Sequence, residues 1–344
     1  MVQIVNVLNF TIIGLNIKYV GSSSYNFFQY VENVGFLNFC FNNSEPTMTL
    51  QDGDYKNFYV SGTSQFLMKN GIFFHDNLKS LYISQSYDVF VSSVIFLALA
   101  STQDNYTAAM NISAAATVNF SQVQVSTEDG RLVMPMILYA NQITTVIITS
   151  LNVSNCNFNG VANNNQSLFV IKGASTLTMN NFISSNVSYG SNSYQSILFL
   201  SGISSLTLER FEISSLSLQY PRTGISSQFL YLDDSSSFYY PTTMTIADWG
   251  VDNCSIISNV QVIRMHFASA SNYGGLTISN LLISSSKFYL SASFLDFKIS
   301  SSSQNTLSVS SSPITISTIT LNGNMLASLS HILNFTLLNP VGIK

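Results

Sequence analysis

Charge is what this sequence has least of. Only 8% of its 344 residues are Asp, Glu, Lys or Arg, 16 acidic against 12 basic, where a soluble domain ordinarily carries about a quarter. No basic stripe is available to neutralise a phosphate backbone, which excludes nucleic acid as a partner. Histidine is confined to positions 75, 266 and 331; residues so scattered form neither a local metal-ligand set nor a Ser-His-Asp arrangement. Long apolar runs are missing too. Val94 to Ala100, with Val89 to Val91 upstream, is broken by Ser92 and Ser93 and falls far short of the roughly 20 residues a spanning helix needs. Met1 to Phe10 carry no cationic start, apolar block or cleavage site, so no signal peptide is recognisable. Ala-rich and Glu/Lys-rich helical stretches are nearly absent.

What fills the chain instead is Ser, Thr, Asn, Val, Ile and aromatics, arranged with a period. Apolar residues recur at offsets 0, 2, 5, 7, 10 and 12 of a thirteen-residue frame: Leu206, Leu208, Phe211, Ile213, Leu216, Leu218. The same frame fits from Met244, Val146 and Phe10, and with one mismatch from Leu177 (Ser184), Leu276 (Ser286), Ile314 (Asn324) and Met48 (Gly53). The copy from Val118 fails late, and the one near Leu81 is irregular. Alternation places side chains on opposite faces of a strand, and one extra residue at each break restores the inward phase after a bend. A second apolar knot follows most frames by eighteen residues, at Phe28, Phe66, Val262, Phe294 and Ile332, with looser counterparts at Ile137, Leu168, Ile197 and Phe229.

A unit of just under thirty residues repeated about ten times predicts a solenoid, one rung of parallel β-helix per unit. Leucine-rich and helical repeats do not fit, because their fixed positions and 3.6-residue periodicity are missing. The repeat runs from end to end, so residues 1–344 are expected to form one continuous all-β body of single-chain rungs. Both ends read as rung-like strand, which points to a segment of a longer chain or to subunits stacked end to end. The longer insertions, Gln29 to Thr47, Ala98 to Thr117, Asp233 to Thr243, Ala268 to Gly275 and Lys298 to Pro313, are expected along one edge.

Cys156 and Cys254 share one column three rungs apart, roughly 14 Å at ~4.8 Å per rung, beyond the reach of a disulfide. Both are expected to be buried thiols; Cys40 falls in an insertion. Ten Asn-x-Ser/Thr sites occur, but 35 asparagines in a Ser/Thr-rich chain give about that many by chance. Asn42, Asn105 and Asn111, in insertions, and Asn186 and Asn253, at outward offset 9, are the candidate N-glycosylation sites.

The pattern resembles the right-handed parallel β-helix of the pectate-lyase-like superfamily over nearly the whole chain, in architecture only. In composition it also resembles large repetitive surface proteins of protists with AT-rich genomes. The resemblance implies a right-handed coil. Enzymes of that superfamily use clustered aspartates with calcium beside an Arg or Lys, or paired carboxylates flanking the glycosidic bond. Here Asp233 and Asp234 point to opposite faces by alternation, Asp52-Gly53-Asp54 reads as a turn, and Glu209, Arg210 and Glu212 read as a surface cluster. Asp248 belongs to a bend and Asp296 faces outward. No catalytic, metal or cofactor set is expected. The function expected is a non-enzymatic structural solenoid of an extracellular filament, coat or cell surface, with N-linked glycans and self-association end to end. The alternatives are an adhesin or glycan-binding module using the inserted edge, and a polysaccharide-active β-helix enzyme.

Overall fold

In the computed structural model, the residues described are 3–6, 8–14, 16–18, 26–29, 32–42, 58–75, 81–98, 108–127, 136–158, 167–189, 196–219, 228–234, 242–258, 260–268, 273–299, 313–327 and 330–337. Among them every strand pairs in parallel with strands one rung away, in a single sheet that coils on itself as a parallel β-helix. No helix occurs among the described residues, so none is long and apolar enough to cross a membrane.

Each rung turns through successive sides. The first, side A, stacks Ile4, Phe28, Val60, Ile83, Ile112, Ala140, Ile171, Leu200, Leu232, Met265, Phe297 and Phe335 in one register column. Side B begins at Phe10, Val34, Phe66, Val89, Val118, Val146, Leu177, Leu206, Met244, Leu276 and Ile314. Side C follows at offset 5, and a short side D at offset 10 is described from Cys156 onward.

The extra residue at each break is a single left-handed one. At offset 4, Asn38, Asn70, Ser93, Gln122, Ser150, Asn181, Arg210, Asp248, Asn280 and Thr318 all have φ between 52° and 60°, and Gly14 takes 73°. At offset 9 the same conformation recurs in Asn155, Asn186, Ser215, Asn253, Ser285 and Gly323. For a residue with a Cβ this conformation costs roughly 1–2 kcal/mol, least for Gly and Asn. The corners recover part of it by ladder bonds: Asn181 Nδ2 donates to Ser150 Oγ at 3.1 Å, Asn280 Nδ2 to Asp248 Oδ1 at 2.8 Å and Asn186 Nδ2 to Asn155 Oδ1 at 2.9 Å.

Inside, the frame residues whose burial is described, in the copies from Val118 to Leu276, are buried, as are the knots Ile137, Leu168, Ile197, Phe229, Val262 and Phe294. Phe182, Phe211 and Trp249 stack at offset 5, with ring centroids 5.0 and 4.3 Å apart, and Trp249 Nε1 donates to the Leu208 carbonyl at 3.2 Å. Two of the polar mismatches are satisfied. Ser286 donates to the Ser284 carbonyl and accepts from the Cys254 amide; Asn324 Nδ2 donates to the Ile283 carbonyl. The Ser184 hydroxyl is buried without a hydrogen-bond partner.

The first quarter departs from the sequence reading. Met48, Asp52 and Asp54 lie outside the described residues. Phe66, read as a knot, instead opens side B of its rung, and further rungs open at Val34 and Val89. Leu81 belongs to side A, which explains its irregular frame. Strands Asn33–Asn42 and Met110–Thr127 occupy much of two stretches read as insertions. Cys40 therefore lies in a strand; its side chain is not described. The breaks between strands also fall at two corners, before side A in the middle rungs and after it from Asp234 on. Cys156 and Cys254 are buried free thiols three rungs apart, and burial pushes their pKa values up to about 12 and about 11.

Where strands Thr242–Asp252 and Tyr273–Ser284 pair, the register slips between Thr242 and Thr243. Gly274 fills the slip: a Cβ there would stand 2.9 Å from Thr243 Oγ1 and 3.1 Å from the Thr242 carbonyl. Gly274→Ala is expected to cost about 1–3 kcal/mol by overpacking. Gly250→Ala, whose nearest neighbour would be 3.9 Å away, is expected to cost little. Paired urea melts read the difference, and equal stability of the two variants would refute the steric account.

Candidate functional site

On the outward face of side A the chain gathers aromatic rings together with a share of its sparse charge. One register column runs Tyr59, Tyr82, Asn111, Tyr139, Val170, Phe199, Tyr231, Arg264, Asp296, Asn334. Two residues further along each strand, on the same face by alternation, a parallel column holds Lys172, Ser201, Asp233, His266 and Lys298. Parallel pairing at ~4.8 Å per rung brings together residues more than thirty positions apart.

The tyrosines of the first rungs stack: Tyr59 and Tyr82 lie 5.3 Å apart at 7°, and their hydroxyls reach Ser84 Oγ at 3.1 Å and Ser113 Oγ at 3.3 Å. Further along, the Lys172 ammonium sits 5.7 Å from the Tyr139 ring and 5.6 Å from the Phe199 ring, a cation–π arrangement. Phe199 meets Tyr231 edge-on at 5.5 Å.

The stripe then becomes ionic. The Arg264 guanidinium lies over the Tyr231 ring at 5.6 Å and within 4.0 Å of Asp296 Oδ2. Asn334 Nδ2 donates to Asp296 Oδ1 at 2.8 Å. Asp233 Oδ1 stands 3.8 Å from His266 Nδ1. Burial lowers the His266 pKa, with Lys298 and Arg264 adding to the effect against the pull of Asp233 and Asp296; the imidazole is therefore neutral at pH 7. Burial raises the Tyr231 pKa, and the charge of Asp233 adds to it. Such a face offers ring platforms for apolar sugar faces and planar polar groups for hydroxyl pairs.

Alternation read Asp233 and Asp234 correctly: Asp233 faces out, and Asp234 is buried on the inner side. Asp296 faces out as expected. Glu209 is half-buried and accepts from Asn180 Nδ2 at 3.4 Å, Glu212 is exposed, and Arg210 and Asp248 occupy left-handed corners. Of the histidines, only His266 joins the stripe; His331 is exposed, and the side chain of His75 is not described. Among the described residues no group of three or more His, Cys, Asp or Glu is placed to hold a metal ion.

Asn186 and Asn253 project from offset-9 corners and are exposed; Asn253 Nδ2 donates to Ser215 Oγ at 3.4 Å. Asn111 is half-buried within strand Met110–Thr127, in register between Tyr82 and Tyr139. Asn42 ends strand Asn33–Asn42 with its side chain undescribed, and Asn105 lies outside the described residues. A shallow depression of about 410 Å³ opens on side B over Leu67 and Phe90, rimmed by Gln65, Lys69 and Asn119.

No protein-family model matches the chain, and no curated protein matches its sequence. Among solved structures, it is similar to the surface protein and adhesin PfbA of Streptococcus pneumoniae: 10% identity, TM-score 0.33, covering 98% of this chain and 91% of that one. It is also similar to the catalytic domain of a GH87 alpha-1,3-glucanase in complex with nigerose, at 10% identity and TM-score 0.22, covering 98% of this chain and 63% of that one. Likenesses this distant carry no functional argument; the parallel register of the chain itself defines the fold.

Proposed function

We propose that the chain is a non-enzymatic β-solenoid of an extracellular coat, filament or cell surface, with its stacked rungs as a stiff scaffold and its side-A stripe as the face that contacts glycan. One observation carries this reading: in a chain with so little charge, Asp233, Arg264, Asp296 and Lys298 collect on three successive rungs beside Tyr231 and the neutral His266. The aromatic rings and the Arg that meet there are residue types enriched at contact surfaces.

Catalysis is the weaker reading. Asp233 and Asp296 stand two rungs and two residues apart, placing their Cα atoms roughly 12 Å from each other. Asp296 is engaged by Arg264 and Asn334, and Asp233 stands beside His266, whereas a glycosidase turns its two carboxyl groups toward the scissile bond from either side.

Self-association has its own support. Leu321 and Leu326 are each 50% exposed, whereas Ile283 and Phe288, their counterparts one rung back, are buried. A further rung, from this chain or another copy, would cover them. N-linked glycans at Asn186 and Asn253 would leave side A clear, because both project from the corner between sides C and D.

The test combines a polysaccharide panel probed with the full chain, surface labelling of intact cells, and glycopeptide mass spectrometry of native material. The expected result is retention on a subset of glycans by a surface-exposed chain carrying sugar at Asn186 and Asn253. A chain that binds nothing on the panel, or that is recovered only inside cells, overturns the proposal.

A further inference from the structure

Behind the stripe lies a buried acid whose hydrogen bonds do not balance unless it carries a proton. Asp234 ends strand Gln228–Asp234, next in sequence to Asp233 but on the opposite, inner face, and only 1% of it is exposed. Its Oδ2 stands 2.9 Å from Thr242 Oγ1, and Thr242 is wholly buried at the start of strand Thr242–Asp252. The same Thr242 oxygen is 2.6 Å from the carbonyl oxygen of Ile203, one rung back.

A hydroxyl owns one hydrogen. A carbonyl only accepts, and an ionised carboxylate only accepts. If Asp234 were ionised, Thr242 would satisfy one neighbour and press its lone pairs against the other, in a site without bulk water to compensate. The shorter contact assigns the Thr242 hydrogen to Ile203. The longer one then needs a hydrogen from Asp234.

We propose that Asp234, in its carboxylic acid form, is a proton-operated latch: it donates to Thr242 Oγ1, Thr242 donates to the Ile203 carbonyl, and this relay clamps the last residues of side A, Asp233 included, to side B and to the preceding rung. Asp234 is thus a positioning residue for the stripe. Burial raises its pKa and the charge of Asp233 adds to the rise, against lowering by the Thr242 contact and the Gly202 amide. The surrounding groups leave the assignment intact. Tyr231 and Asp233 on its own strand and Arg264 and His266 on the next project from the outward face. Tyr273, in register with Thr242, is held neutral by burial, its pKa pushed up to about 12.

The sign follows from linkage. An acid whose native pKa lies above its unfolded value stabilises the fold fully below the ordinary carboxylate value of 3.8, and that stability is lost as pH rises through the raised native value. The experiment is hydrogen exchange of the full chain, read by mass spectrometry on peptides covering 228–234 and 242–252 and corrected for intrinsic rate, across this window. In the wild type, opening of these strands is expected to rise by up to about tenfold per pH unit within the window. Asp234→Asn, whose amide donates to Thr242 at every pH, is expected to hold the strands closed with a flat profile. Asp234→Ala is expected to leave them open throughout. If Asp234→Asn opens as Asp234→Ala does, or shares the pH profile of the wild type, the latch is refuted. Should Asp234→Ala fail to fold, the comparison of wild type with Asp234→Asn decides alone.

Discussion

Trp249→Ala is expected to lower stability by about 3–5 kcal/mol, the range for deleting a fully buried large aromatic. The ring is enclosed by the core. It stacks on Phe211 at 4.3 Å, meets Phe229 and Phe294 edge-on at 6.4 and 6.2 Å, and donates its indole N–H to the Leu208 carbonyl. Removing it opens a cavity spanning the rungs of Phe211 and Leu281, its register neighbours, and no side chain on those rungs can swing in without leaving its own column. Trp249→Phe keeps a stacking ring but removes the indole hydrogen bond to the Leu208 carbonyl, so a cost of about 1–2 kcal/mol is expected. Denaturant melts followed by circular dichroism give both numbers. This is the sole tryptophan, so wild-type fluorescence reports locally on the same rung. A loss under about 1 kcal/mol for the alanine variant would refute a closed core at this position.

The second large effect belongs to the stripe. Tyr231→Ala combined with Arg264→Ala is expected to weaken glycan binding about 10–100-fold, or roughly 1.4–2.8 kcal/mol, because it removes both the platform and the guanidinium lying over it. Each single variant should recover part of the loss, since Arg264 without the ring keeps Asp296, and the ring without Arg264 exposes its face. Thr277→Ala, exposed on side B, should bind as the wild type does. Affinity titrations on the panel, repeated at raised ionic strength, separate stacking from charge, since only the guanidinium's share falls with salt. Equal binding by the double variant and Thr277→Ala would move the contact surface off side A.

Much of the coil was readable as sequence because alternation and the left-handed corner leave a fixed trace. In the copies from Val118 to Leu276, each frame residue whose burial is described sits on the inward face where the spacing placed it. The first rungs hid their phase for a physical reason. Phe66, Leu67 and Met68 are all apolar, as are Val89, Phe90 and Val91, so inward and outward positions look alike, and Gly71 leaves an inward position without a side chain. The stripe was only half legible. Alternation alone sends Asp233 and Asp296 outward and Asp234 inward. The meeting of Asp233 with His266, and of Arg264 with Asp296, depends on the residue count of the intervening rung, which varies with its connections, so dispersed histidines and single acids gave no warning of a cluster.

The left-handed corners also set how such a chain can grow. Among the described residues each rung carries its own bends at its own offsets and leans only on the storeys above and below, so duplicating one unit from corner to matching corner lifts the solenoid by about 4.8 Å and leaves the other bends in phase. Height is thereby counted in whole steps. Length variants of such a solenoid would differ by integer multiples of that step, with the charged patch carried along unchanged.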